Sequence, residues 1–301
     1  MKVLITGATG LIGSQIVKDC IKSNISVNFL TTSKKKITRS EMVNGFYWNP
    51  KNKIIDLDCF KGVDSIIALS GSSISKLWTK ANKRKIINSR VESLEFLKES
   101  IKEKNIPIKR LVSASGVSLY PDSLEEEFSE NQTNSDDSFL AEVINRWENA
   151  AKSFKTIGVD VAIIRIGLVL SLESGVLKET IKPMNFGFGV IFGSGNQYQS
   201  WIHIEDISKL FIFILEKKLK GIYNGVSPNF IKNSEFTKII SSVHSKAIFN
   251  IKIPRIFFSA IFGEMHVLLF KSHKISSRKI QDEGFSFKFD NLKDAVENLI
   301  G

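Results

Sequence analysis

The sequence predicts an α/β fold, a doubly wound parallel sheet followed by a small C-terminal α+β region. Three observations carry that prediction. Strand and helix signals alternate through the first two-thirds of the chain. Glycines spaced three apart join the first strand to the first helix. From Pro254 onward the alternation gives way to an apolar helix and short mixed elements.

Each element has a local reason. Val3, Leu4 and Ile5 read as a short strand that runs into Gly7, Gly10 and Gly13. That spacing suits a turn that bends sharply, admits a phosphate to the backbone, and packs a helix closely on its sheet. Ile12, Ile16, Val17 and Ile21 mark the helix, with Cys20 within it. A dinucleotide pyrophosphate is expected at this helix's N-terminus, against Gly7, Thr9, Gly10, Leu11, Ile12 and Gly13. The competing reading is a purely structural tight turn.

Val27–Leu30 is the second strand, and its tip reads Thr31, Thr32, Ser33, Lys34, Lys35, Lys36. A carboxylate at such a tip would hold ribose hydroxyls and favour NAD. Here hydroxyls and lysines stand instead, which suits a ribose bearing a 2′-phosphate, so NADP(H) is expected over NAD(H). A lysine run on a surface turn is otherwise a solvated face.

Ser65–Leu69 reads as a strand ending at Gly71, followed by a helix over about 80–104. Arg110–Ser113 is the next strand, with Ser113, Ser115 and Tyr120 at or beyond its end. The acidic stretch 122–137 reads as a mobile loop at the rim, or as a solvated connection with no role. A helix over about 139–157 leads to the strand Val159–Arg165. Asn185–Gly195, where glycines alternate with large apolar residues, is expected to line an apolar cleft, or else to be a bent loop. Ile202–Ile204 and Ile222–Asn224 read as strands, with a helix over 206–215 between them. In the tail, Ile256–Phe270 reads as a buried or amphipathic helix and Lys274–Gly284 as a polar one. Phe285–Phe289 alternates like a strand, and Asn291 caps a last helix to Ile300.

Ligands of open parallel sheets lie beyond the strands' carboxyl ends, so chemistry is expected at 7–13, 69–71, 113–120 and 165–168. The division expected is a nucleotide-binding domain over 1–230 and a substrate-side region over 231–301. With 43% hydrophobic and 24% charged residues the chain is ordinary for a globular protein. No segment approaches the roughly 20 apolar residues of a membrane helix, and none reads as a targeting peptide. Only Cys20 and Cys59 are present, so no disulfide framework is expected, and a reducing cytoplasm fits. His203, His244, His266 and His273 lack metal-ligand spacing. The formal charge of +11 raises nucleic acid as a partner, but the lysines spread along helix surfaces without a recognition motif. No membrane and no specific nucleic acid are expected; a homodimer is left open.

The chain resembles the extended short-chain dehydrogenase/reductases, and within them the atypical branch described as NAD-dependent epimerase/dehydratase-like with its own C-terminal domain of unknown function. The likeness rests on Gly7–Gly13, Ala68–Gly71, Ser89-Arg90, Ser113–Tyr120, Phe139–Glu148, Arg165–Leu170, Trp201–Asp206, Asn224–Pro228 and Phe262–Glu264. It implies a Rossmann-like fold, with Leu11 and Ile12 at the pyrophosphate and Thr31 and Thr32 at the adenosine ribose. It also places Ala68 and Leu69 along the adenine-to-ribose path and has Arg90 reaching the cofactor from its helix. The superfamily transfers hydride with a Tyr-x-x-x-Lys pair on the helix after the serine strand. Here that helix reads Phe139-Leu-Ala-Glu142-Val-Ile144, and the pair is missing. Ser113, Ser115 and Tyr120 are substitute candidates, as is Glu142. Two functions follow: an oxidoreductase or epimerase acting on a small molecule, or a nucleotide-sensing or scaffold protein that keeps the pocket without chemistry.

Overall fold

The structure, a computed structural model, describes residues 1–244 and 248–301. Eight strands form one sheet: β1 (Lys2–Thr6), β2 (Ser26–Thr31), β3 (Val43–Asn49), β4 (Ile54–Ile55), β5 (Ser65–Ala68), β6 (Arg110–Gly116), β7 (Asp160–Ile166) and β8 (Gly221–Gly225). Their spatial order is β8-β7-β6-β5-β1-β2-β3-β4, and every pairing is parallel except that of β3 with β4. A parallel sheet covered on both faces needs continuous apolar runs, which Val3–Ile5, Ile66-Ile67, Leu111-Val112 and Val161–Ile164 supply; all are buried. This is the Rossmann-like doubly wound architecture that the alternation predicts.

The chain lays down β1, β2 and β3 in one direction, then returns to place β5 on the other side of β1. The order therefore reverses between β1 and β5, and a crevice opens beyond their carboxyl ends. Three helices bear on it: α1 (Leu11–Lys22), α2 (Lys80–Glu103) and α3 (Phe139–Lys152). α1 is fastened to the helix Ile204–Glu216, where Ser208 Oγ donates to Asp19 Oδ2 at 2.7 Å, a buried bond.

A second apolar cluster lies beside the sheet and draws on residues from both sides of position 230. Leu170, Leu177, Met184 and Trp201 meet Phe236, Ile240, Phe289 and Val296 there. Trp201–His203 pairs with Leu168–Leu170 as a separate two-stranded sheet rather than joining the main one, and the helix begins at once with Ile204.

Several elements differ from the sequence reading. β3 and β4 were not foreseen: Gly45 and the asparagines of Val43–Asn49 mask a strand in which Gly45 lies directly against the Phe29 ring. Phe285–Phe289 keeps its alternation, Phe285 and Phe289 being buried, yet it pairs with no strand. The Asp206 carboxylate takes its hydrogen bonds instead, accepting from Lys288 N and Phe289 N at 2.9 Å each. Lys274–Gly284 is not one helix: Lys274-Ile275 pairs with Glu127-Phe128, and only Arg278–Asp282 is helical before Gly284 turns with φ +93°. The acidic stretch 122–137 is further fastened to the C-terminal segment around that pairing. Ser272 N donates to Asp122 Oδ1 at 2.8 Å, Lys274 Nζ to the Glu125 carbonyl at 3.2 Å, and Lys271 pairs with Asp136. The apolar helix expected over 256–270 is broken, Arg255–Phe262 being followed by a 3-10 turn and then Val267–Phe270; its first part is exposed rather than buried. No helix among the described residues is long and apolar enough to cross a membrane.

Candidate functional site

The carboxyl ends of β1, β5, β6 and β7 open onto one cleft of about 470 Å³. The glycine turn forms one end of it. Gly7 takes φ +74°, a left-handed conformation that a side chain would strain, and Gly10 N donates to the Gly7 carbonyl at 3.0 Å. A Cβ on Gly13 would stand 2.3 Å from that same oxygen, so only glycine lets α1 start this close to β1. Thr6 Oγ1 accepts from Leu69 N (3.2 Å) and Ser70 N (3.3 Å), holding the ends of β1 and β5 together. No side chain caps α1, and Leu11, Ile12 and Gly13 line the cleft. Backbone N–H groups without intrahelical partners, at the positive end of a helix dipole, favour an anion.

Two cationic features lie near this end. Arg90 reaches the cleft from α2, where Nη1 donates to the carbonyls of Ser72 (3.1 Å) and Ile86 (3.0 Å) and the guanidinium lies 4.9 Å from the Trp147 ring centroid. Its Nε is buried without a partner, and burial lowers its pKa to about 10, which leaves it charged at neutral pH. At the tip of β2, Thr31 Oγ1 accepts from Ser33 N at 3.2 Å, and Lys36 Nζ reaches Thr9 Oγ1 at 3.5 Å. The basic tip and the glycine turn therefore adjoin. Lys34 Nζ stands 5.3 Å from the Tyr47 ring centroid. Thr9, Thr31, Thr32, Ser33, Lys34 and Ala68 lie outside the walls of the cleft itself.

The other end is built differently. α3 turns Leu140, Val143, Ile144 and Trp147 to the cleft, an apolar wall in which both spacing-four pairs, Leu140 with Ile144 and Val143 with Trp147, are apolar. Glu142 lies on the exposed side, paired with Arg146 at 2.7 Å. Behind the wall runs a buried polar network. Arg165 on β7 grips Glu148 of α3 with Nε at 2.7 Å and Nη2 at 3.1 Å, a two-point contact that suits a planar guanidinium. Ser115 Oγ donates to Glu148 Oε1 at 2.9 Å. Burial pushes the Glu148 carboxyl up, but Arg165's hydrogen bonds and charge outweigh burial and hold it below the ordinary carboxylate range.

Tyr120 belongs to the same network, with 1% of its surface exposed. Its hydroxyl accepts from Arg165 Nη1 at 3.0 Å and donates to Asn224 Oδ1 at 2.8 Å, and burial raises its pKa. Tyr120 is not among the residues lining the cleft, and neither is Ser113, whose hydroxyl donates to the Ala114 carbonyl. Ser115 does line it, with its proton committed to Glu148 and its lone pairs free to accept.

Further polar groups of the cleft come from segments with no catalytic signal in the sequence. Gln199 is buried on the cleft wall with Oε1 unpartnered. Lys271 and His273 enter from the C-terminal segment. His273 Nε2 stands 3.0 Å from the Tyr120 carbonyl; a carbonyl only accepts, so Nε2 carries the proton and Nδ1 is left as an acceptor. Burial lowers the pKa of His273, keeping the imidazole neutral. The glycine-aromatic stretch 185–195, expected to line the cleft, does not. Its Phe188–Phe192 strand pairs with Phe249–Ile253, and the wall is made by Tyr198–Ser200 just after it.

Comparison with known proteins agrees with this architecture. Residues 3–224 match the model of the NAD dependent epimerase/dehydratase family, and residues 253–299 match a domain of unknown function, DUF1731. The epimerase family protein SSP1921 of Staphylococcus saprophyticus is 32% identical over 300 residues, covering 99% of this chain and 98% of its own. The epimerase family protein SAR0825 of Staphylococcus aureus is 31% identical over 298 residues, covering 99% and 98%. Among solved structures, human epimerase family protein SDR39U1 with NADPH superposes with a TM-score of 0.85 at 24% identity, covering 99% of each chain, a likeness of fold. The nucleoside-diphosphate sugar epimerase of Corynebacterium glutamicum gives 0.79 at 26% identity, covering 100% of this chain and 58% of that one. The chain belongs to the NAD dependent epimerase/dehydratase family.

Proposed function

We propose that this family member binds NADP(H) across the glycine turn and reduces or epimerises a small molecule held between the apolar wall of α3 and the C-terminal segment. The observation that carries the reading is the uncapped start of α1, which opens on the same cleft as an Arg90 that no carboxylate neutralises among the described residues. Gly7 and Gly13 make room there for a diphosphate on the N–H groups of Leu11, Ile12 and Gly13. Lys34, Lys35 and Lys36 supply charge for a 2′-phosphate. The cofactor, when bound, supplies hydride chemistry. The chain's own part is to hold the reactants, to exclude water with Leu140, Val143, Ile144 and Trp147, and to handle a proton. His273 Nδ1, a neutral acceptor on the cleft wall, is the group we assign to that proton. The NADPH of SDR39U1 supports the choice of cofactor. The two buried free thiols suit a reducing compartment, and we place the protein in the cytoplasm.

NADPH and NADH fluorescence titrations test the cofactor: tighter binding of NADPH is expected, and no binding of either would end the proposal. The replacement of the usual Tyr and Lys by apolar residues favours a second reading, a nucleotide sensor without turnover. NADPH oxidation with a panel of small carbonyl compounds separates the two. Turnover lost in His273→Ala while NADPH binding persists supports the enzyme; no turnover with any compound supports the sensor.

A further inference from the structure

An exposed apolar surface lies away from the nucleotide end. In the helix Arg255–Phe262 no residue is buried, and Ile256, Phe257 and Ile261 are 71%, 59% and 68% exposed. The helix follows the Phe249–Ile253 strand, whose parallel partner is Phe188–Phe192. Register pairs Phe188 with Phe249 and Phe192 with Ile253, and period-two alternation puts all four on one face. Phe258 packs on Phe192 at 5.1 Å between ring centroids, so the helix is seated at one end of that face, with exposed Phe188 and Phe249 at the other. No helix among the described residues is long and apolar enough to cross a membrane, so an apolar surface of this extent marks an interaction site.

We propose that this surface docks on an anionic lipid bilayer. Charge decides the occupant. Arg255 opens the helix, and the ion pair of Lys83 with Glu264 brings the start of α2, with exposed Lys80 and Arg84, to its far end. The pair uses Glu264, the acidic residue that directly follows the helix. A second copy would set one basic rim against another, on chains carrying +11 each. Anionic headgroups complement the rim, and the side chains protrude as anchors, needing no shaped groove opposite them. The segment continues into Val267 and Leu268, which line the cleft, so docking would set the cleft's mouth at the membrane surface. The sequence-based expectation of no membrane partner rested on the lack of a spanning helix, and a surface-lying helix does not need one.

Co-sedimentation with vesicles tests the proposal without any cofactor or substrate. The full chain should bind vesicles containing phosphatidylglycerol at least about tenfold more tightly than pure phosphatidylcholine ones, with binding weakened by salt. The double substitution Phe257→Glu and Ile261→Glu should reduce binding about tenfold or more while leaving the thermal melting curve unchanged, since both side chains are exposed. Lys80→Glu with Arg84→Glu should weaken binding to the anionic vesicles alone. No sedimentation with phosphatidylglycerol, equal binding to both lipids, or an unaffected double variant would overturn it. So would a dimer in light scattering that the same double substitution dissociates.

Discussion

The two ends of the cleft are made of different material. The nucleotide end is made of backbone: Gly7, Gly10 and Gly13 bring peptide groups to a helix start, and side chains matter there chiefly by being absent. The opposite end is made of side chains from distant stretches: Ser115 and Glu148, Arg165, Gln199, and then Lys271 and His273. A backbone site is written in neighbouring residues, whereas a side-chain site exists only once the chain has folded.

Four measurements test this contrast. The largest effect is expected at the side-chain end. Glu148→Ala leaves Arg165 as an unpaired buried charge and should cost about 3–5 kcal/mol in urea unfolding. Glu148→Gln, which keeps hydrogen-bonding atoms, should lose less; a loss under 1 kcal/mol for the alanine variant would show that the network does not hold this end together.

Next comes pH. His203 is buried against Phe289 at 3.9 Å between ring centroids, and its Nδ1 accepts from Glu205 N, so it stays neutral; burial lowers its pKa from 6.5 to about 4. Between those values the unfolded chain binds a proton that the folded chain refuses. Stability is therefore full above about pH 6.5 and falls as pH drops towards 4, by about 3 kcal/mol. Urea midpoints at pH 7.5 and 4.5 report this slope. His203→Asn should flatten it, and an identical slope in that variant would assign the loss elsewhere.

At the backbone end, Gly13→Ala puts a methyl group into the Gly7 carbonyl and should weaken NADPH binding by about tenfold to a hundredfold, from ~1–3 kcal/mol of displaced backbone. Undiminished affinity by fluorescence would remove the turn from the nucleotide site. The smallest effect is at the basic tip. Lys34→Glu with Lys35→Glu should weaken NADPH about tenfold and NADH far less; equal losses would discard the 2′-phosphate argument.

The same contrast explains what could be read without coordinates. The glycine turn, the strands bordering it and the doubly wound order were legible because each is a local pattern. The Phe285–Phe289 alternation marked the buried side chains correctly, but periodicity does not say who receives the N–H groups, and Asp206 lies some eighty residues earlier in the chain. β3 was hidden because its partner-facing glycine suits the Phe29 ring, a fact known only once both strands are paired. Ser115, Glu148 and Arg165 fell within stretches the sequence marked, but Gln199, Lys271 and His273 gave no motif, since His273 takes its place through a bond to the Tyr120 carbonyl.

The second apolar cluster has a consequence for the molecule's mechanics. Its members lie before and after the strand β8 and its neighbouring helix, so the polypeptide enters that cluster, leaves for the main sheet, and comes back. No single cut frees this cluster from the main sheet. A fragment stopping short of Phe236 would remove Phe236, Ile240, Phe289 and Val296 from around Leu177, Met184 and Trp201, so the cluster and the main sheet are expected to unfold together.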